Sequence, residues 1–383
     1  MGQAGSGSVG LVLSGGGTRA LLYHLGVLKW CAERGLLDNI SHISSISGGS
    51  WCVGCVLGHS GGQWPASESF LQEVLPNVRA TLTKRSMLLD LVFELLRAPW
   101  LIGSRYIYFV RMFRRRWRLT STLDELPDVP EFHINATTFE TGKRWSFSRA
   151  RMGDYVFGYA NLPRVEVAMA VAASSGFPLF VGSVPLEARR FAWQDGPFSK
   201  GRGEKVRQAH PVVHLWDGGV YENTGLEPLF KGDQLRNGVN FLVVADASEP
   251  LALAKRSWWF TRALRLLLIS MDQVRSLRAR QVVRAFERDR NGFYAKIGKS
   301  PDQHLADLGL GVAPWFANSK TARECEELAK FTIYPTRIAE TDFDALVAHG
   351  WQTCEAIYGA LYELGAADTA RSVTDPVGAA ALE

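Results

Sequence analysis

The sequence has few cysteines, no pattern typical of a hydrophobic leader and no internal repeat. Each of these features argues against one class of protein. Its 383 residues include only 5 cysteines, too few for the disulfide framework of a small secreted domain. No charged segment precedes a long apolar run, so we expect neither a signal peptide nor a membrane-spanning helix. Low complexity is confined to MGQAGSGSVG at residues 1–10. These features predict a globular cytoplasmic protein with reduced thiols.

Side chains with metal-ligand spacing are also scarce. Cys52, Cys55 and His59 fall at i, i+3 and i+7, which places them on one helical face. The surrounding stretch WCVGCVLGH is apolar, and a buried cysteine in such a helix behaves as a small hydrophobic residue. No fourth ligand is suggested, so we predict no metal site.

Hydrophobic residues are abundant, and their spacing alternates between that of a strand and that of a helix, as in an α/β fold. Hydrophobic residues make up 46% of the chain, which is enough for a large buried core. Buried strands are predicted at 9–14 and 42–46 and helices at 18–34 and 48–58, joined by short turns. This order predicts an α/β fold.

The later segments extend this pattern with one interruption. Residues 66–127 are mostly helical in pattern, and we interpret them as an insertion over one sheet. A hairpin with Gly142 at its turn is predicted over 132–148. A helix of small residues is expected over 165–175 and a further buried strand over 240–248.

Three consecutive glycines lie at the first corner from strand to helix, in LVLSGGGTRALL at residues 11–22. Bare backbone amides at a helix N-terminus favour a negative charge. Gly15, Gly17 and Ala20 fit the G-x-G-x-x-A variant of the dinucleotide motif, but the next strand, in HISSISGGS, offers serines where an acidic residue is required. A P-loop is excluded because the Lys-Ser/Thr pair is missing, so no nucleotide cofactor is predicted.

A candidate nucleophile lies on the second corner from strand to helix. Ser47, in SISGG, occupies the serine position of a G-x-S-x-G elbow, where a sharp turn projects the hydroxyl above the sheet. Gly49 matches this pattern, whereas Ser45 replaces the usual glycine. The negative charge at the glycine loop is then the oxyanion formed when Ser47 attacks a carbonyl. Asp217, followed by two glycines in HLWDGGVYENTGLEPL, is the candidate base.

Four motifs together resemble the patatin-like phospholipases and the related cytosolic phospholipase A family. SGGGTRA, SISGGSW, AVAASSGFPLF and DGGVYENTGLEPL occur in the family's order and approximate spacing, over about residues 8–250. The resemblance implies a three-layer patatin-like fold with a central, mostly parallel sheet. We expect a single domain over residues 1–383, with a flexible tail at 1–7, a helical cap at 66–127 and a C-terminal helical part at about 255–383.

The resemblance also implies a role for each site residue. Ser47 would be the nucleophile and Asp217 the second member of a Ser-Asp dyad. Arg19 would face the phosphate of a phospholipid. The implied oxyanion hole is formed by backbone amides at Gly15, Gly16, Gly17 and Gly48. Neither calcium nor any other cofactor is implied.

The expected function is a lipid acyl hydrolase of phospholipase A or lysophospholipase type, acting on phospholipid or lysophospholipid. Two alternatives remain: a member of the fold that binds membrane lipid without turnover, and one that transfers the acyl group to an alcohol other than water. A Ser-His-Asp triad is the rival mechanism. Its candidate histidines are His210, His214, His304 and His349.

The net charge of +5 is concentrated in two stretches that mix arginine with aromatic or aliphatic residues. They are RYIYFVRMFRRRWRL at 105–119 and the segment that begins SWWFTRALRLLL at 257–268. No nucleic-acid-binding motif accompanies them, so we expect contact with an anionic membrane, the plain alternative being a solvated basic face. The predicted membrane residues are Arg114, Arg115, Arg116 and Trp117. The insertion is expected to cap Ser47 with apolar side chains at Trp100, Tyr106, Phe109, Phe113 and Trp117.

Overall fold

The computed structural model describes most of the chain as strands and helices. The described residues are 8–177, 181–196, 204–206, 210–249, 251, 259–307, 320–334 and 336–364. The strands are β1 Val9–Leu13, β2 Ile40–Ile46, β3 Glu131–Thr138, β4 Arg144–Phe147, β5 Arg151–Asp154, β6 Gly158–Asn161, β7 Val184–Leu186, β8 Trp193–Gln194, β9 Lys205–Val206, β10 Val213–Asp217, β11 Phe230–Lys231, β12 Gln234–Leu235, β13 Phe241–Asp246 and β14 Gly292–Lys296. The helices are α1 Gly17–Glu33, α2 Gly48–His59, α3 Ser67–Ser69, α4 Leu75–Lys84, α5 Met87–Arg97, α6 Tyr106–Arg116, α7 Val167–Ser174, α8 Trp259–Asp289, α9 Pro301–Asp307, α10 Ala322–Ala329 and α11 Glu340–Tyr358.

The centre of the sheet is parallel, as the sequence predicts. The strand order β14, β13, β1, β2, β3 contains only parallel neighbours. All five residues of β1 are buried, because helices cover both faces of a parallel sheet and every side chain then meets a core.

Beyond β3 the sheet becomes antiparallel. The predicted hairpin is confirmed: β3 and β4 are antiparallel neighbours, and Gly142 between them has a φ of 65°. From β4 the order continues through β5, β6, β8 and β9. Two strands of this region lie off this path: β10 pairs antiparallel with β3 and also with β7.

Two strands meet end to end along one edge of β3. β2 runs parallel to β3 and ends at Ile46, which lies opposite Asn135. β10 runs antiparallel to β3 and ends at Asp217, which lies opposite Ala136. Because Asn135 and Ala136 are consecutive, the ends of β2 and β10 are brought together.

Helices on the two faces complete a three-layer architecture. α1 packs against α2 and α11 on one face, where Val9, Leu11 and Leu13 of β1 join the larger core cluster. Val12 points the other way and joins a second cluster with Val282 of α8. Alternate residues of one strand therefore anchor opposite layers.

The helical character predicted for residues 66–127 is confirmed by α3 to α6, which pack on α1, α2, α7 and α11. The tail at 1–7 and the Trp258 end of the second basic stretch lie outside the described residues. In the part of the chain that is described, no helix combines the length and the apolarity needed to cross a bilayer.

Glycines set the close contact between α1 and α11. A Cβ placed on Gly26 would lie 2.0 Å from the carbonyl oxygen of Val347, and one on Gly350 would lie 2.1 Å from that of Tyr23. Both obstacles are backbone atoms, so relief requires that the helices move apart.

We expect Gly26→Ala and Gly350→Ala each to lower the free energy of unfolding by roughly 1–3 kcal/mol, the usual cost of overpacking. Chemical denaturation measures the change. Gly103→Ala is the matched control, because nothing lies within 4 Å of a Cβ at that position. Equal stability of Gly26→Ala and Gly103→Ala would contradict the assigned contact.

Candidate active site

Ser47 occupies a strained corner between β2 and α2. It has a φ of 49° and a ψ of −114° and forms the N-cap of α2. A positive φ in a residue other than glycine is unfavourable and is kept only where the surroundings enforce it. The conformation is that expected of a nucleophile elbow, although Ser45 replaces the usual glycine.

The two glycine corners of the sequence pack directly against each other. A Cβ on Gly48 would lie 2.3 Å from the carbonyl oxygen of Gly17 and 2.6 Å from its amide nitrogen. A Cβ on Gly49 would lie 2.3 Å from the carbonyl oxygen of Leu13. Glycine at these two positions therefore lets the elbow close onto the first strand and its loop.

The glycine loop presents backbone N–H groups next to Ser47. Gly16 and Gly17 have φ values of 143° and 58°, a region that favours glycine. Among the described residues, the N–H groups of Gly16, Gly17 and Gly48 have no acceptor. Gly15 differs, because its N–H donates to the carbonyl oxygen of Asn223 at 3.0 Å. The prediction that the Gly15 amide belongs to the oxyanion hole is therefore not carried further, because this N–H already has an acceptor. Glycine is needed there for space, since a Cβ would lie 3.3 Å from that of Ser47.

The carbonyl group of Ile333, in the C-terminal part of the chain, contacts this loop and stabilises it. Thr18 donates its N–H to the carbonyl oxygen of Ile333 at 3.2 Å, and its hydroxyl donates to that of Tyr334 at 2.7 Å. A Cβ on Gly17 would lie only 2.1 Å from the same Ile333 oxygen. The start of α1 is thus fixed by residues more than 300 positions away.

Asp217 ends β10 and is 4% exposed. Its Oδ1 accepts the N–H of Gly219 at 2.7 Å. Burial raises the pKa of this carboxyl to about 6, and hydrogen bonds from the Gly219 N–H and the Ser47 hydroxyl oppose the rise. The structure therefore brings together Ser47 and Asp217, the two residues that the sequence singles out.

A serine network beneath the elbow was missed by the sequence analysis. Ser174 of α7 accepts the N–H of Ser47 at 3.0 Å and donates to the carbonyl oxygen of Asn135 at 2.7 Å. Ser50 links Ser174, at 2.8 Å, to Ser45, at 2.9 Å. Ser45 thus has a partner that glycine would lack. In the sequence, the serine pair that ends AVAASS is the local signal for this network, at the end of the predicted small-residue helix.

Asn223 is a second residue that the sequence analysis missed. Its Oδ1 would lie 2.3 Å from a Cβ on Gly15 and 2.5 Å from one on Gly219, so this side chain fills the space between the two loops. Its Nδ2 donates to the Ser248 hydroxyl at 2.8 Å. Asn223 therefore ties the DGGVYEN loop to the glycine loop.

Arg19 is 2% exposed and already has several partners. Its Nε donates to the carbonyl oxygen of Ala247 at 2.9 Å, and its Nη1 contacts Glu249 at 3.3 Å and the carbonyl oxygen of Phe331 at 3.2 Å. Its Nη2 lies 3.4 Å from the position of a Cβ on Gly16. Arg19 thus joins the glycine loop to the end of β13 and also contacts the cavity described next.

A cavity of about 400 Å³ opens above Ser47 and Asp217. Its apolar wall includes Leu264, Leu268 and Met271 of α8, together with Trp51, Phe177 and Ile333. A buried ion pair of 3.0 Å between Arg275 and Asp246 joins α8 to the end of β13. No residue of the insertion 66–127 is among the described lining residues, so the wall expected from the insertion comes from α8 instead.

Several aromatic residues assigned to the mouth belong to the core. Trp117 is fully buried and stacks on Phe113 with ring centroids 4.4 Å apart. Phe109 and Phe113 in turn pack on Trp51. The prediction that Trp117 contacts a membrane is wrong, because its indole ring completes this aromatic cluster.

The predicted membrane arginines of α6 have carboxylate partners. Arg115 pairs with Glu94, Arg116 pairs with Asp90, and Arg114 lies 3.3 Å from Glu166. The Arg116 side chain is 9% exposed, whereas those of Arg114 and Arg115 are half-exposed.

The histidines of the rival triad lie elsewhere. His304 and His349 are buried and contact the backbone carbonyls of Lys296 and Ile297, and burial lowers the pKa of each to about 4. His214 pairs with Glu140 at 2.8 Å, and His210 is exposed. No histidine lines the described part of the cavity, and no group of three metal-ligating side chains occurs in the described ranges.

Comparison with known proteins finds a matching family model, similar solved structures and a curated relative. The family model described as Patatin-like phospholipase matches residues 11–230. The human GIVD cytosolic phospholipase A2 superposes with a TM-score of 0.50 at 16% identity, over 93% of this chain and 60% of that one. Its complex with methyl gamma-linolenyl fluorophosphonate gives the same TM-score and identity, over 96% of this chain and 60% of that one. Mouse cytosolic phospholipase A2 zeta is 47% identical over 45 residues, 12% of this chain and 5% of the relative.

These similarities differ in what they establish. At 16% identity the human structure shows the fold alone, and this chain spans 60% of its length. The family model establishes more, because the residues that it matches, 11–230, are more than half of the 383 residues of this chain. They also contain the elbow, the glycine loop and Asp217. The chain therefore belongs to the patatin-like phospholipase family.

Proposed function

We propose that the protein is a lipid acyl hydrolase of phospholipase A or lysophospholipase type, with Ser47 as nucleophile and Asp217 as base. The observation that carries this proposal is that the strained Ser47 elbow, the buried Asp217 carboxyl and three N–H groups with no acceptor among the described residues lie together. Family membership supports lipid acyl ester hydrolysis as the reaction class.

The reaction proceeds through an acyl-enzyme. Ser47 Oγ attacks the carbonyl carbon of the ester while its proton passes to the Asp217 carboxylate. The oxyanion accepts hydrogen bonds from the N–H groups of Gly16, Gly17 and Gly48, and its collapse expels the alcohol, which takes the proton from Asp217. Water then attacks the acyl-enzyme and gives a proton to Asp217. Collapse of this second oxyanion releases the fatty acid, and Ser47 regains its proton.

Burial makes Asp217 a better base for this step. An aspartate with an ordinary pKa near 4 holds a proton weakly, whereas Asp217 has its pKa raised to about 6. The carboxyl still loses its proton at neutral pH, so it is ready to accept the proton of Ser47.

The cavity supports a lipid substrate. Leu264, Leu268 and Met271 offer an apolar wall for an acyl chain beside Ser47. Arg19 lies at the glycine loop, and its Nη2 is the group proposed to meet the phosphate. The apolar chain and the anionic headgroup are then held by different parts of one cavity. Such a substrate resides in a bilayer, so the proposal includes peripheral contact with an anionic membrane.

We expect Ser47→Ala and Asp217→Asn each to lower hydrolysis of a soluble ester by at least about a hundredfold, because each removes a member of one catalytic unit. The double variant should be little worse than either single one. Ester turnover and fatty-acid release from vesicles measure the effect. Ser60→Ala, at the other end of α2, and Asp128→Asn, on the surface, are matched controls. Retention of more than about a tenth of the activity by Asp217→Asn would refute the dyad.

The pH profile tests the protonation state of Asp217. Only the carboxylate accepts the Ser47 proton, so kcat/KM for a soluble ester should rise tenfold per pH unit below about pH 6 and level off above it. A profile that remains flat down to pH 4.5 would contradict the role of Asp217.

The raised pKa of Asp217 also predicts that stability depends on pH, which can be measured without an activity assay. Because the folded-state pKa of about 6 exceeds the ordinary value of 3.8, the native state binds more protons between these pH values. The free energy of unfolding should therefore fall as pH rises from about 4 to about 6, by on the order of 3 kcal/mol. Denaturation of the wild type and Asp217→Asn across this range measures the effect, which the variant should lack.

Arg19→Lys tests the proposed phosphate contact. Lysine keeps the charge but loses the planar fork, so hydrolysis of phospholipid should fall more than hydrolysis of a small uncharged ester. Parallel kcat/KM measurements on the two substrates decide the matter. An equal loss on both would show that Arg19 only supports the loop through Ala247 and Phe331.

A further inference from the structure

Helix α5 is inverted relative to an ordinary surface helix. Five of its eight apolar side chains are exposed to solvent, and the most exposed, Leu96, has 74% of its surface accessible. These exposed residues, spaced to share one face, are Leu88, Leu89, Val92, Phe93 and Leu96. In a globular protein such a face normally packs on the core, so its exposure requires an explanation.

The acidic residues of α5 point inward. Glu94 is 3% exposed and pairs with Arg115 of α6, while Asp90 pairs with Arg116 and lies 2.8 Å from Arg85. A buried carboxylate is tolerated only when it is paired, and here arginines supply the pairing. A cavity of about 530 Å³, lined in part by these charged groups, lies between the helices. Two ion pairs thus join α5 to α6, and Met87 and Leu91 pack on the core. The opposite, apolar face of α5 is left exposed among the described residues.

The exposed apolar surface continues past the end of α5. Trp100, 76% exposed, and Ile102 extend it along the turn Pro99–Ser104, which leads into α6. Phe109 of α6 packs against Trp51, a lining residue of the cavity above Ser47. The helix that follows this surface in the chain therefore contacts a wall residue of the proposed active site.

Cations border this surface. Residues 84–118 contain nine basic and two acidic residues, so this segment carries a charge of +7, compared with +5 for the whole chain. Both acidic residues are the inward-facing Asp90 and Glu94. Arg97 lies 5.2 Å from the ring centroid of Phe93, within the exposed face itself. An apolar face with a cationic border matches the headgroups and acyl chains of an anionic bilayer.

We propose that α5 and the turn after it form the surface that inserts into an anionic phospholipid membrane. This inference rests on the proposed function, because a lipid substrate requires the enzyme to reach a bilayer. The inserted side chains are Leu88, Leu89, Val92, Phe93, Leu96, Trp100 and Ile102. Arg115 and Arg116 hold α5 in its inverted orientation, a different role from direct membrane contact. A second copy of the chain fits less well, since two such borders would bring like charges together.

The test uses the Ser47→Ala protein, so that binding is measured without turnover. Leu89→Asp with Leu96→Asp should weaken co-sedimentation with phosphatidylcholine vesicles containing phosphatidylserine by at least about tenfold, because charge replaces inserted apolar area. Leu266→Asp with Leu277→Asp is the matched control. It alters a pair on the outer face of α8 that is similarly exposed, at 66% and 59% against 60% and 74% for the α5 pair.

Three results would overturn the assignment. Undiminished binding by the α5 variant excludes this face, and loss of binding by the α8 variant alone moves the membrane contact to α8. A wild-type dimer in analytical ultracentrifugation that the α5 variant disperses, with vesicle binding unchanged, assigns the face to a second copy. If the aspartate pair prevents folding, Leu89→Ser with Leu96→Ser replaces it, with circular dichroism as the folding check.

A soluble ester separates this proposal from the proposed function. With Ser47 intact, the α5 variant should hydrolyse such an ester as the wild type does while losing activity on vesicles. A wild-type protein that binds vesicles through α5 but hydrolyses no ester would leave the docking surface in place and refute the hydrolase. Equal loss on both substrates would mean that α5 supports the fold rather than the membrane contact.

Discussion

The meeting of β2 and β10 along one edge of β3 is the constraint on which the rest of the site depends. β2 ends opposite Asn135 and β10 opposite Ala136, so the backbone alone places Ser47 and Asp217 in adjacent positions. The junction is tight: a Cβ on Gly218 would lie 2.5 Å from the carbonyl oxygen of Asn135. The same closeness removes water from Asp217, which raises its pKa and suits it to accept a proton.

The local parts of this arrangement could be predicted from the sequence, since they depend on neighbouring residues. The alternation around β1 and β2, the turn at Gly142 and the elbow at Ser47 each have a signal within a few positions. Asp217 was found through its glycines and the family resemblance. Its position beside Ser47 depends on the pairing of β10 with β3, some 80 residues away, which no local pattern encodes.

The residues that were misplaced show a second limit of sequence reasoning. Trp117 and Arg116 belong to a stretch that resembles a membrane-binding surface, yet one completes an aromatic cluster and the other pairs with Asp90. Composition shows that arginine and aromatic residues are close together, but it does not show which of them have internal partners. The partners here come from α2 and α5, and only the tertiary structure shows that α5 turns its carboxylates inward.

The contact between Ile333 and the glycine loop limits where the chain can be divided into fragments. The family match ends at residue 230, yet the carbonyl of Ile333 fixes Thr18 and fills the space beside Gly17. The smallest fragment that keeps the loop in this shape must therefore extend about 100 residues beyond the matched region. A boundary drawn from sequence similarity alone would separate the glycine loop of the proposed site from the segment that fixes its shape. A chimera joined at that boundary would therefore need a C-terminal segment that matches the loop.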